Sequence, residues 1–128
     1  MNKITKIMIV DDEPVVGERL KASLERAGFT VDTFSSSREA IAGLKESRYD
    51  ILVTDLKMSG PDGLEILRLA RQLHPDIQPV VITGFATNET AEEVMRSGAV
   101  RFIAKPFKMS QLKSVLFELS GRVEDSNE

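Results

Sequence analysis

Short apolar runs and longer stretches of helical periodicity alternate five times along the chain. The runs include Ile7-Met8-Ile9-Val10, Ile51-Leu52-Val53, Val80-Val81-Ile82 and Phe102-Ile103-Ala104. Several are rich in Ile and Val, and the pattern predicts strands over 6–10, 29–34, 50–54, 79–83 and 100–104. Between them, apolar residues recur at three- and four-residue spacing. Val16, Leu20, Leu24 and Ala27 fall on one helical face, with Pro14 in the first turn and Gly28 as the stop. Ser36-Ser37-Arg38-Glu39 reads as a capping box before Ala40, Ile41 and Leu44. Asp62 is placed to cap a third helix that carries Leu64, Leu67 and Ala70 and ends near His74-Pro75. A fourth helix is expected to start at a cap on Asn88, to turn Ala91, Val94 and Met95 inward and to close at Gly98. A fifth is expected to be capped by Ser110, with Leu112, Val115, Leu116 and Leu119 inward and Gly121 as its stop.

Strands alternating with helices of this length form βαβ units and a parallel sheet, and right-handed crossovers put helices on both faces. Five strands favour a doubly wound α/β fold with the flavodoxin-like order 2-1-3-4-5 and five helices, whose switch point lies between the first and third strands. A chain of 128 residues fits one domain over 1–121 with a polar tail, 122–128, expected to fray. The five methionines read as core filler, and His74, the one histidine, as a surface residue at a helix end.

Composition narrows the function classes. A net charge of −3 offers no electrostatic reason for this domain to bind nucleic acid. Without cysteine there are no disulfides and no thiolate metal sites, which fits a cytoplasmic protein. No apolar run approaches the roughly 20 residues of a membrane span, and the first residues lack a signal-peptide core.

The chemistry lies at the ends of the runs. Val10 leads into Asp11-Asp12, Thr54 into Asp55, Ile82 into Thr83-Gly84 and Ala104 into Lys105-Pro106. In a parallel sheet all these ends share one edge, where open α/β sheets bind ligands. Three carboxylates, a hydroxyl and an ammonium gathered there suit a divalent cation and a phosphoryl group. Crowded carboxylates raise one another's pKa, and Mg²⁺ relieves that conflict with one or two carboxylates, waters and phosphate oxygens as ligands. Asp11 and Asp12 alone would read as solvated residues before a helix; Asp55 on the neighbouring strand changes that balance. A carboxylate such as Asp55 also serves as a nucleophile toward phosphorus, forming an acyl phosphate. Thr83 offers a hydroxyl to a phosphoryl oxygen, and Lys105 a point charge, with Pro106 confining Lys105 to extended backbone. The Gly60-Pro61-Asp62-Gly63 segment holds no phosphate-loop lysine, so a Walker-type nucleotide site is not supported.

Four segments together resemble the receiver domain of two-component response regulators: Val10-Asp11-Asp12-Glu13-Pro14, Thr54-Asp55-Leu56-Lys57-Met58 with Gly60-Pro61-Asp62-Gly63, Ile82-Thr83-Gly84-Phe85, and Phe102-Ile103-Ala104-Lys105-Pro106-Phe107. The likeness runs from residue 6 to about 120. It implies that Asp55 is the phosphoacceptor for a sensor histidine kinase or phosphotransfer protein, with Mg²⁺ or Mn²⁺ as cofactor. By the same likeness Asp12 is the direct metal ligand, Asp11 acts mainly through coordinated water, and Lys57 gives its main-chain carbonyl. Thr83 and Lys105 engage the phosphoryl oxygens, Phe102 is the switch aromatic that responds to Thr83, and the Lys105–Pro106 bond is cis. The resemblance further implies a reversible switch that catalyses only its own phosphorylation and dephosphorylation. Its fourth helix, fifth strand and fifth helix would form the face that controls an output partner or a second copy of the chain.

Two positions depart from the family pattern. Ser59 stands where a proline is usual, with proline displaced to Pro61, so a differently shaped loop is expected. Phe102 lacks the hydroxyl of the common tyrosine variant, so its inward state needs no hydrogen-bond partner. The alternatives are an Mg²⁺-dependent aspartyl-phosphate phosphatase or phosphotransferase acting on a small substrate, a degenerate receiver that only binds, and a flavin domain. The first usually needs an acid/base carboxylate just beyond the nucleophile, where Lys57 stands; the second would lack part of the acid–threonine–lysine set. Scarce aromatics near the strand ends argue weakly against a flavin. Thr83-Gly84-Phe85-Ala86-Thr87 leans toward receivers joined to transcription-activating ATPase domains.

Overall fold

The apolar runs form five strands: β1 (Lys6–Val10), β2 (Thr30–Phe34), β3 (Ile51–Asp55), β4 (Gln78–Thr83) and β5 (Arg101–Ala104). The helical segments form α1 (Pro14–Arg26), α2 (Ser37–Glu46), α3 (Gly63–Leu73), α4 (Asn88–Arg96) and α5 (Met109–Ser120). This computed structural model describes residues 5–56, 62–84 and 86–121. All strand pairs are parallel, and the order is β2-β1-β3-β4-β5, the doubly wound arrangement expected. Lys57, the Ser59 and Pro61 departures, Phe85 and the tail 122–128 lie outside the described residues.

Side chains alternate across the sheet because successive strand residues point to opposite faces. Ile7, Ile9, Ile51, Val53, Val80, Ile82 and Ile103 pack under Leu20 and Leu24 of α1 and Leu112, Leu116 and Phe117 of α5. On the other face Met8, Val10 and Leu52 meet Ala40 and Leu44 of α2 and Ile66 and Ala70 of α3. A smaller cluster joins Leu56, Leu67, Val81, Val94 and Ala99, with Leu64 and Phe102 packed against it. Each large aliphatic side chain taken fully out of water contributes about 1.5–3 kcal/mol. These layers therefore fix the sheet, and the sheet in turn fixes its C-terminal edge.

Most helix ends form as the sequence predicts. Ser36 accepts from the Glu39 N–H and Asp62 from the Glu65 N–H, at 3.3 and 3.1 Å. Gly28, Gly98 and Gly121 follow their helices with positive φ, where a side chain would be strained. Two caps differ. Thr87, not Asn88, caps α4 by accepting from the Thr90 N–H at 3.1 Å, and Asn88 is the first helical residue. The α5 cap is Lys108, with no side-chain cap bond, so Ser110 falls inside the first turn.

Met95 also differs from expectation. It is 46% exposed, because α4 buries Val94 fully and Ala91 in part and turns Met95 outward. Core filling by methionine therefore holds for Met8, is partial for Met109 and fails for Met95. His74 sits at the α3 end as expected but is half-buried, its Nε2–H donating to the Leu44 carbonyl at 2.7 Å.

Candidate functional site

Strand register assembles the site. Val10 pairs with Thr54, Asp55 with Ile82, and Thr83 with Ala104. Asp11, Asp55, Thr83 and Lys105 are thus carried to one edge by four neighbouring strands. The Lys105 ammonium donates to Asp55 Oδ2 at 2.7 Å and lies 3.7 Å from Asp11 Oδ2. One cation is thereby shared by two carboxylates. The Lys105 N–H also donates to the Thr83 carbonyl at 2.9 Å, which ties the turn after β5 to the end of β4. The Lys105–Pro106 peptide bond is cis.

Asp11 is buried, with one oxygen accepting the Glu13 N–H at 2.9 Å at the entry to α1. Burial pushes its carboxyl above the ordinary carboxylate range; the Glu13 N–H and Lys105 oppose that, while the charges of Asp55 and Asp12 add to it. For Lys105 burial works to lower the pKa. The hydrogen bond and charge of Asp55, with Asp11 and Glu13 behind, outweigh it and raise the ammonium's pKa. Asp12 is solvent-exposed beside Asp11. The structure thus brings Asp11, Asp55 and Lys105 into a direct constellation and leaves Asp12 facing water at its rim.

Thr83 is fully buried at the end of β4. Phe102 is half-buried on β5 and packs on the cluster that holds Leu56, the residue after Asp55, and Val94 of α4. The end of β3, Phe102 and α4 therefore share one apolar contact region. An apolar groove of about 570 Å³ opens beside Lys105, lined by Glu13, Val16, Arg19, Leu20, Pro106, Phe107 and Met109.

Gly63, the first residue of α3, sits hard against β3. Its N–H donates to the Leu56 carbonyl at 3.0 Å, and a Cβ there would lie 2.3 Å from the Asp55 carbonyl oxygen. The start of α3 thus rests directly on the backbone of Asp55 and Leu56. No spacing in the sequence reveals that approach; the one available signal is a glycine where a helix former would serve α3 better.

Among the described residues, no three acidic, histidine or cysteine side chains converge tightly enough to enclose a metal on their own. A hydrated Mg²⁺ needs only one or two carboxylates. Asp11 and Asp55, already facing a common cation in the Lys105 ammonium, are a donor set of that kind.

This fold and edge define a receiver module, and the comparisons agree. Residues 7–117 match the response regulator receiver domain family, and the chain belongs to it. It is 36% identical over 112 residues to the C4-dicarboxylate transport transcriptional regulatory protein DctD of Rhizobium meliloti, covering 88% of this chain and 24% of that protein. A response regulator receiver domain from Clostridium thermocellum superposes with a TM-score of 0.85 at 29% identity, covering 92% and 95% of the two chains. A response regulator from Burkholderia pseudomallei, solved with a phosphorylated aspartic acid, a calcium ion and citrate, superposes with a TM-score of 0.82 at 26% identity, covering 91% of this chain and 69% of that one. The chain spans well under two thirds of the length of the curated relatives it matches. Among the described residues no helix is long and apolar enough to cross a membrane.

Proposed function

We propose that the chain is a phosphoacceptor switch in which Asp55 takes a phosphoryl group from the phosphohistidine of a sensor kinase or phosphotransfer protein. The observation that carries this reading is the 2.7 Å contact between Asp55 and Lys105, with Asp11 on the same ammonium. An Asp55 oxygen attacks phosphorus, the phosphorus–nitrogen bond breaks, and the imidazole leaves with the bonding pair and gains a proton. Asp11 and Asp55, with Asp12 at the rim and the Lys57 carbonyl, would hold Mg²⁺, which supplies charge neutralisation for the phosphoryl oxygens. Lys105 moves its ammonium from the carboxylate to a phosphoryl oxygen, and the Thr83 hydroxyl donates to another.

The new group carries about −1.5 to −2 charges. It draws Thr83 toward it and frees space behind, which Phe102 takes up from its half-buried place. Because Phe102 shares an apolar cluster with Val94, its movement biases α4 and with it the face formed by α4, β5 and α5. That face controls an output partner, an attached output domain or a second copy of the chain. The protein turns over no external metabolite, works in the cytoplasm and, by analogy with the transcriptional regulators it resembles, feeds a transcriptional output.

The test is intact mass after treatment with acetyl phosphate and Mg²⁺. One phosphoryl adduct is expected, absent in Asp55→Asn; an adduct persisting in that variant contradicts the assignment.

A further inference from the structure

β3 is apolar until its last two residues, and Thr54 is as deeply buried as the aliphatic residues before it, at 0% exposure. Its partners in the sheet are Val10 on β1 and Val81 on β4. Valine has the shape of threonine and would fill this place with no polar atom. A hydroxyl taken out of water costs free energy unless it finds a partner. The Thr54 hydroxyl has one: it donates to the main-chain carbonyl of Asp55 at 2.9 Å.

That carbonyl belongs to the residue whose carboxylate meets Lys105. The carboxylate is carried by Cβ on the same Cα that bears this carbonyl, so a peptide plane held there restrains where the Cα–Cβ bond points, while the hydrogen bond to Lys105 restrains the side chain's own torsions. The next carbonyl, of Leu56, accepts the Gly63 N–H at 3.0 Å, and Gly63 itself lies against the Asp55 carbonyl. Two successive peptide planes at the exit of β3 are thus held, one by the Thr54 hydroxyl and one by the start of α3.

We propose that Thr54 is a positioning residue for phosphoryl transfer: its buried hydroxyl locks the peptide plane after Asp55 and so aims the Asp55 carboxylate at the incoming phosphorus. This rests on Asp55 as the phosphoacceptor and adds a requirement for a hydroxyl at position 54. A misplacement of about 1 Å costs up to roughly a hundredfold in rate, so the loss of one such restraint is expected to cost about tenfold.

The experiment measures phosphoryl uptake by the full chain at saturating acetyl phosphate and Mg²⁺, with melting temperature alongside, for wild type, Thr54→Ser, Thr54→Ala and Thr54→Val. Serine keeps the hydroxyl and loses the methyl group, valine loses only the hydroxyl, and alanine loses both. Thr54→Ser is expected to melt lower yet keep its saturated rate within about twofold, whereas alanine and valine slow it about tenfold. The Ser–Ala pair decides the matter should valine disturb the core. Alanine and valine variants as fast as wild type would overturn the positioning role, and so would a serine variant as slow as alanine. No uptake by wild type contradicts the phosphoacceptor reading itself, and this proposal with it.

Discussion

Asp55 and Lys105, fifty positions apart in the chain, are joined by a 2.7 Å hydrogen bond between carboxylate and ammonium. The ammonium lies between that carboxylate and Asp11, so it screens two like charges from each other. Lys105→Met removes the screen and leaves a buried carboxylate beside a half-buried one. The pair is partly open to water, so the expected loss is about 1 kcal/mol at neutral pH. Millimolar Mg²⁺ should restore part of it. Urea denaturation with and without Mg²⁺ reads both effects.

Asp11 carries the cost of burial. The unfolded chain releases its proton near the ordinary value of 3.8, while the folded chain holds it to higher pH. The folded form therefore binds more protons through that window, and stability falls as pH climbs from below 3.8 through the raised pKa. Asp11→Asn keeps an acceptor for the Glu13 N–H without the charge. Its metal-free form should melt above wild type at pH 7, with the gap closing below about pH 4, where both side chains are neutral. Melting curves across pH without metal provide the check.

The sign for Lys105 runs with acidity too. Its folded pKa is raised, so the pairing stabilises the fold fully below the ordinary value of 10.5 and is lost as pH rises through the raised value. Wild type should therefore lose more stability on strongly alkaline titration than Lys105→Met does, a difference that paired melting curves record.

Gly63→Ala places a methyl group where the Asp55 carbonyl and the Leu56 Cα already stand, at 2.3 and 2.9 Å. Backbone, not a flexible side chain, must give way. Alanine favours a helix over glycine by about 1 kcal/mol, yet overpacking costs about 1–3 kcal/mol, and the cost should win. Equilibrium unfolding in urea is expected to show net destabilisation, with slower phosphoryl uptake in the folded fraction.

Much of this architecture was readable from period and punctuation. Strong alternation of Ile- and Val-rich runs with helical spacing gave the five parallel strands and their order, and strand ends gave Asp11, Asp55, Thr83 and Lys105 as neighbours. The expected caps at Asn88 and Ser110 each lie inside their helices, Asn88 because the neighbouring Thr87 competes for the same role and Ser110 because α5 begins earlier without any side-chain cap. Thr87 wins over Asn88 through its bond to the Thr90 N–H, while α5 starts on Lys108 with no side-chain bond at all. Periodicity puts Met95 on the inward stripe of α4 without showing how much of that stripe a neighbour covers, and Met95 is left exposed. Short-range geometry was out of reach altogether: neither the Thr54 bond to Asp55 nor the approach of Gly63 is a matter of spacing.

In the proposed switch, Phe102 separates chemistry from output. It touches the cluster of Leu56 and Val94 and lies outside the Asp11–Asp55–Lys105 constellation. Phe102→Ala should leave phosphoryl uptake within about twofold of wild type while costing about 1–3 kcal/mol of stability, less than a fully buried Phe. Any change in oligomer size or partner binding on phosphorylation should be lost. Size-exclusion chromatography before and after acetyl phosphate treatment distinguishes the two effects.

In the proposed switch, Asp55 is the residue that carries the phosphoryl group. Borohydride reduces an acyl phosphate on aspartate to the alcohol, converting that one residue to homoserine, and peptide mass spectrometry then locates it. After treatment with acetyl phosphate and Mg²⁺, homoserine is expected at position 55 alone. Homoserine at position 11 or 12, or none in a chain that has gained phosphate, would contradict Asp55 as the phosphoacceptor.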